Sequence, residues 1–288
     1  MIRNNPYSKE SRHGLVALVT TPIGNLKDIT YRAVEFLKEA DIIACEDTRN
    51  TGLLLSHYGI KPKKLVSLYA QTEIKGAKEL VLEVKKKNLK LAYCSDAGMP
   101  GISDPGAILV QASYEEDVPV TIIPGPTASL SALVISGIDS ADFTFYGFLP
   151  TKKGSITQML EEAKDKKESL IYYESPKRVL ATLQIMLKVF GKDREVSLIR
   201  ELTKIHEEVI HGTLEELTTN LKDEIKGECV IIVKGSTESK KELSDDELKK
   251  LIKSQLKEGK SLSDIAKDLQ ADTGIKKNKI YQIGLNVK

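Results

Sequence analysis

Residues 93–106 read YCSDAGMPGISDPG. The run just before and into them, LKLAYC at 89–94, has the apolar character of a strand buried on both faces, as in a helix-covered parallel sheet. The stretch holds three glycines, two prolines, two aspartates and two serines within fourteen residues. Glycine admits positive φ and lets backbone approach a ligand closely, whereas proline fixes φ. A loop rich in both is stiff and unusual in path. It reads as a strand end built to hold something.

Working outward, the same alternation of apolar run and helical pattern repeats. LVALVT (15–20), DIIACE (41–46), KLVSLY (64–69), LKLAYC (89–94) and VTIIPG (120–125) are strands. Helical spacing lies between them at 31–40, 51–59, 73–87 and 106–116, and again at 127–137. This is the signature of a parallel sheet covered on both faces. FTFYGF (143–148) adds a strand, and the Pro/Lys/Gly run that follows makes a linker. A second α/β unit comes next. It has helices at 155–166, 177–191 and 214–222, with strands at 169–175, 195–202, 207–213 and 228–235, a β-rich closing order that predicts a mixed sheet. The predicted organisation is an extension at 1–13, α/β domains at 14–148 and 149–236, and a helical, helix-turn-helix-like module at 237–288. In that module Ser261 caps one helix and Gly274 ends it.

Composition narrows the function classes. Of 288 residues, 41% are hydrophobic and 29% charged, ordinary for a globular protein. No apolar run approaches a membrane span, and MIRNNPYSKESRHG lacks the apolar core of a secretory signal. A cytoplasmic location without membrane attachment is therefore expected. Cys45, Cys94 and Cys229 sit in or beside apolar runs, and the four histidines have no metal-ligand spacing, so neither disulfide scaffold nor metal site is expected. The tail from 240 carries 12 lysines against 8 acidic residues, while the rest carries 31 basic against 33 acidic residues. A nucleic-acid partner is permitted by this charge pattern and not required by it.

Four strand ends carry unusual loops: TPIGNL, CEDTRN, SDAGMPGISDPG and PGPTAS. Neither GxxxxGK[ST] nor GxGxxG after a strand is present, which disfavours phosphate cradling. Asp96, directly after a strand, suits a ribose hydroxyl or a cationic ligand; a local Asx-turn is its structural alternative. Backbone groups without a phosphate-binding lysine suit a ligand with a ribose, an adenine edge and a zwitterionic tail. S-adenosylmethionine fits that description.

The strings LVTTPIGNLKDIT, ACEDTR, SDAGMPGISDPG, IPGPTASLSAL, FYGFLP, YYESPKR and RELTKIHEE, in order across residues 14–235, closely resemble the bacterial ribosomal RNA small-subunit methyltransferase I family of the tetrapyrrole-methylase fold. The resemblance implies two α/β domains with S-adenosylmethionine in the cleft between them, and usually a homodimer. It also implies 2′-O-methylation of a cytidine ribose in the decoding region of 16S ribosomal RNA, within the 30S subunit. It carries cofactor contacts onto Pro22, Ile23 and Gly24, and onto Ser95, Asp96, Ala97, Gly98 and Met99. The further contacts are Thr127, Ala128 and Ser129, then Tyr173 and Glu174, then Gly227 and Glu228. The first loop lacks the Gly-rich form usual in the wider fold.

The acceptor is a weak nucleophile while protonated, so a neighbouring base or cation would help it. Candidates are Asp47 and Arg49 of CEDTR, and Glu201, Lys204 and His206 of RELTKIHEE; each has an alternative as a salt-bridge or capping residue. Lys204 serves as a base only if burial lowers its pKa. Arg178 reads as an RNA-backbone or structural arginine, and Lys152, Lys153 and the tail as backbone contacts. Two rival readings are a tetrapyrrole methyltransferase of the same fold and a non-enzymatic nucleic-acid-binding protein.

Overall fold

The computed structural model describes residues 14–69, 73–221, 225–237, 244–273 and 275–286. The predicted extension at 1–13 and the helix-ending Gly274 lie outside these residues. The described chain forms two compact units. One comprises residues 14–164 with 168–234, and the other residues 165–167 with the chain from 235 onward.

The first unit holds two five-stranded sheets. In the first sheet, β1 (Leu15–Val19), β2 (Ile42–Cys45), β3 (Leu65–Ser67), β4 (Lys90–Cys94) and β5 (Val120–Ile123) run parallel in the order β3-β2-β4-β1-β5. Their apolar runs have a direct cause, because both faces are covered. On one face α3 (Glu73–Lys87) and α4 (Ala107–Glu115) pack Val81, Val84 and Leu109 against Val16, Leu91 and Tyr93. On the other, α1 (Tyr31–Glu39) and α2 (Thr48–His57) pack Ala33, Leu37 and Leu55 against Ala17, Ile43 and Cys94. Helix α2 starts three residues before the sequence pattern places it, because the Asp47 side chain accepts the Arg49 N–H and caps it.

The second sheet contains β6 (Phe143–Phe148), β7 (Ser169–Glu174), β8 (Glu195–Arg200), β9 (Glu208–Thr213) and β10 (Cys229–Val233), in the order β6-β7-β10-β8-β9. Only β6 and β7 are parallel, so the sheet is mixed as the sequence predicts. Its strands alternate cleanly. Leu170, Tyr172, Leu198 and Ile231 face one layer formed by α6 (Lys153–Ala163), α7 (Val179–Phe190) and α8 (Leu214–Asn220). Ile171, Ile199, Val230 and Ile232 face the other way, onto Ala132 and Leu133 of α5 (Ala128–Ile135). Helix α5 follows the first sheet in sequence and is buried against the second, which fastens the two sheets into one unit. Strand β8 stops at Arg200, short of the predicted 202, because Glu201 and Thr203 take positive φ of 51° and 66° and turn the chain sharply.

The second unit is a three-helix cluster of α9 (Asp245–Lys257), α10 (Leu262–Thr273) and α11 (Lys277–Leu285). Leu248, Ile252, Ile265, Leu269 and Ile280 form its core, and a Ser244–Glu247 capping box opens α9.

Leu133 is only 2% exposed in the seam between α5 and the second sheet, whereas its neighbour Val134 is 72% exposed. Leu133→Ala should lower stability by about 3 kcal/mol, and Val134→Ala by less than about 0.5 kcal/mol. Urea unfolding followed by circular dichroism tests the pair. Equal losses would show that the seam is not a structural joint.

Candidate functional site

Parallel pairing brings the carboxyl ends of β1, β4 and β5 side by side, so the loops after them emerge together. Two of these loops are joined by backbone. The Thr21 N–H donates to the Gly98 carbonyl at 2.9 Å, and the Gly98 N–H donates back at 3.1 Å. Gly98 does this at φ +77°, where a side chain is strained. The buried Ser95 hydroxyl donates to the Ala97 and Gly98 carbonyls at 3.3 and 3.4 Å. Farther along, the Gly101 N–H closes on the Pro105 carbonyl at 3.1 Å. The glycine- and proline-rich stretch is thus fixed by its own backbone.

These loops oppose the end of β7 and the start of β10 across a cavity of about 370 Å³, within the range of small-ligand sites. Among its walls are Ile23, Ala97, Gly98 and Met99 from the first two loops, and Thr127 and Ala128 from the third. Tyr173, Glu174 and Glu228 come from the second sheet. The Ser129 N–H donates to the Tyr173 hydroxyl at 3.1 Å, which orients that ring, and Phe145 and Phe148 meet it edge-on. Sequence reasoning missed Phe148, Asp104, Pro176, Leu202 and Cys229 among the lining residues. Burial pushes the Cys229 thiol up to about 11, which leaves it an inert wall residue at neutral pH.

Among the described lining residues there are three carboxylates and neither lysine nor arginine. Two of the three already have partners. Glu174, fully buried, accepts the Ser175 N–H at 2.8 Å and the Thr182 hydroxyl at 2.7 Å, with Arg178 Nε at 3.3 Å. Glu228 is bound by Lys204 at 3.0 Å. Asp104 differs. Burial, then the nearby charges of Glu46 and Asp96, push its carboxyl up to about 6. The cavity therefore has apolar walls, an aromatic edge and an acid whose negative charge is uncompensated, a fit for a cationic nucleoside and a poor fit for a phosphate.

A second cavity of about 460 Å³ shares Ile23, Ala97 and Glu228 with the first. It is lined by Pro22, Gly24, Ser95, Asp96 and Lys204, and by Asn50, Leu53, Leu54 and His57 of α2. Asp96 is held here, accepting from Asn50 Nδ2 at 2.8 Å.

The remaining candidates occupy other positions. Asp47 caps α2 and binds the exposed Arg49 at 2.6 Å; the Arg49 hydrogen bonds push its carboxyl down to about 2, too acidic for a useful base. Lys204 does not meet the condition set for it as a base. Burial works against its charge, but hydrogen bonds to Glu201 at 2.8 Å and Glu228 outweigh it and raise its pKa. Glu201 and Gly227 form a unit outside both cavities. Gly227 has φ +85°, and a Cβ there would lie 2.2 Å from the Glu201 carboxylate. His206 is exposed and lines neither cavity. Arg178 is a structural brace: besides Glu174, its Nη2 donates to the Leu149 and Pro150 carbonyls at 3.1 and 2.5 Å. Among the described residues no group of His, Cys, Asp and Glu could hold a metal ion, and no helix is long and apolar enough to cross a membrane.

The Tetrapyrrole (Corrin/Porphyrin) Methylases family model matches residues 15–218. A ribosomal RNA small subunit methyltransferase I of Streptococcus pyogenes serotype M3 is 39% identical over 96% of both chains. The protein of the same name from Halalkalibacterium halodurans is 42% identical, again over 96% of both. That from Haemophilus influenzae is 42% identical over 94% of this chain and 96% of its own. Two solved structures share the fold at lower identity. They are uroporphyrin-III-C-methyltransferase from Thermus thermophilus (TM-score 0.54, 18% identical, covering 77% of this chain and 92% of that one) and the methyltransferase CobJ (0.58, 19%, 77% and 95%).

The raised carboxyl of Asp104 gives a signed pH prediction. An acid with its folded pKa above its unfolded value of about 4 stabilises the fold below that value, and the contribution is lost as pH rises through about 6. Asp104→Asn should therefore raise the melting temperature at pH 7.5 and leave it unchanged near pH 4. A variant that melts lower than the parent at pH 7.5 would show that Asp104 makes a favourable ionic contact.

Proposed function

The chain belongs to the ribosomal RNA small subunit methyltransferase I family of tetrapyrrole methylases, and from that premise we propose that it uses S-adenosylmethionine to methylate the 2′-hydroxyl of a cytidine ribose in the decoding region of 16S ribosomal RNA, with the 30S subunit as substrate. The observation that carries this reading is the first cavity, which has three carboxylates and no basic side chain among its described lining residues, and apolar walls around Tyr173 and Phe148.

When bound, the cofactor supplies a methyl group on a positively charged sulfur, open to in-line displacement. The chain's residues supply the surroundings. Ile23, Met99, Ala128 and Val230 give the cavity apolar walls. Tyr173, oriented by the Ser129 amide, offers a ring edge to a purine. Asp104 supplies a negative charge for a cationic centre in a partly desolvated site, where it counts for more than in water. The Thr21–Gly98 bridge holds the loops in advance of binding, so that little ordering remains to be done. Neither Asp47 nor Lys204 titrates where a base is needed. Catalysis rests on positioning, which can lower a barrier by roughly 7–11 kcal/mol.

A tetrapyrrole substrate is less well supported. The uroporphyrin-III-C-methyltransferase and CobJ structures share the fold at 18–19% identity, while the ribosomal RNA methyltransferases align at 39–42% along nearly the whole chain.

Isothermal titration of the protein with S-adenosylmethionine should give micromolar binding, and unmodified 30S particles should gain one methyl group on a cytidine ribose, located by mass mapping of the 16S RNA. Methylation of a porphyrinoid in place of 30S would reassign the substrate, and absence of cofactor binding would remove the enzymatic reading altogether.

A further inference from the structure

Helix α2 carries Asn50, Leu53, Leu54 and His57 at i, i+3, i+4 and i+7, a spacing that sets them on one face. Leu55, on another face, is buried, and so is Thr51, which also reaches the second cavity. The face with Asn50 and Leu53 is not covered by other parts of the described chain: Leu53 is 73% exposed and Asn50 and His57 are exposed. Yet all four residues line the second cavity, with Leu26, itself 40% exposed, and Lys204 among its other walls.

The second cavity adjoins the first through Ile23, Ala97 and Glu228. Displacement at the methyl carbon forms its bond to the acceptor oxygen as the carbon–sulfur bond breaks; the electron pair stays on sulfur, and the hydroxyl proton is released to water. The acceptor must therefore stand beside the cofactor cavity and open to solvent. The wall on that side combines aliphatic surface, an imidazole and one amide with the carboxylates of Asp96 and Glu228 and a Lys204 ammonium already bound to Glu201 and Glu228, a chemistry suited to an uncharged planar base and its ribose hydroxyls rather than to a phosphate.

We propose that this face of α2 is the seat for the acceptor nucleoside of the RNA, splayed out from its neighbours, with Leu53 and His57 against the base. Asn50, its amide fixed by Asp96, stands at the rim. The proposal rests on the methyltransferase reading above and adds to it the element that recognises the RNA.

The test uses full-length Leu53→Ser and His57→Ala, whose side chains are exposed so that folding is not at stake. Two quantities are measured: S-adenosylmethionine affinity by titration, and the affinity and KM for 30S particles lacking the modification. Each variant should bind the cofactor within twofold of the parent and weaken 30S binding about tenfold, the scale of one lost base-stacking contact. Unchanged 30S affinity and KM in both variants would overturn the proposal, as would cofactor affinity falling in parallel with 30S affinity. A parent protein that binds no S-adenosylmethionine would instead overturn the methyltransferase reading and the α2 seat with it.

Discussion

The seam between α5 and the second sheet is the contact on which the site depends. Strand β5 feeds α5 through the Pro124–Thr127 loop, so α5 belongs to the first sheet by connection. Its Ala132 and Leu133 are nevertheless buried against Ile171, Ile199, Val230 and Ile232. That packing is possible because β7, β8 and β10 alternate, sending one set of apolar residues to α5 and the other to α6, α7 and α8. Once the seam forms, the loops at the ends of β1, β4 and β5 must face Tyr173, Glu174 and the start of β10. The cavity is a consequence of joining two sheets, each of which could bury only its own residues otherwise.

A second joint surrounds Lys204. The turn after β8 holds Glu201 and Thr203 in left-handed conformations, and Lys204 binds both Glu201 and Glu228. Gly24 from the β1 loop presses into the same turn: a Cβ on it would lie 2.6 Å from Lys204 Cγ and 2.9 Å from the Leu202 carbonyl. The lysine is therefore a brace between a first-sheet loop and a second-sheet turn, and its raised pKa keeps it charged for that task. Arg178 does the equivalent work on the far wall, tying Glu174 to the carbonyls of Leu149 and Pro150 beside Phe148. Two residues that sequence motifs offer as chemical or RNA-binding groups thus hold the cavity's shape. That leaves Asp104 as the lining carboxylate with charge to spare.

The fold was legible because its signals are local. Apolar runs such as LVALV and DIIAC, separated by helical spacing, specify covered parallel strands without reference to the rest of the chain. The loops were legible for the same reason, since glycine and proline mark unusual backbone where they stand. What was not legible depends on residues far apart in sequence. Nothing in RELTK shows that Lys204, besides its neighbour Glu201, will meet Glu228, 24 residues further on, or that Gly24 will press into the same turn. Asp104 sits inside the quoted motif, yet its raised carboxyl comes from burial and from Glu46 and Asp96, contacts that spacing does not reveal. The cavity face of α2 went unread because its alternation looks like any surface helix with a few apolar residues. Only the cavity beside it gives Leu53 and His57 a meaning.

The two cavities differ in how firmly they are built, and that difference bears on how a large substrate would be recognised. The first cavity is built on Gly98, tied through its backbone to Thr21, and on the Arg178 brace of its far wall, while Thr21 and Ser95 themselves form the firm side of the second cavity. The other side is an exposed helix face and a loop edge carrying Leu26. A surface of that kind gains little from long-range attraction, and outside the tail the chain's charges nearly cancel, with 31 basic against 33 acidic residues. Binding driven by counterion release would need many more uncommitted lysines and arginines there. Under the proposed function, selectivity must then come from the shape of a folded ribosomal particle that presents one nucleoside to α2, with the small, rigid cofactor pocket waiting behind it.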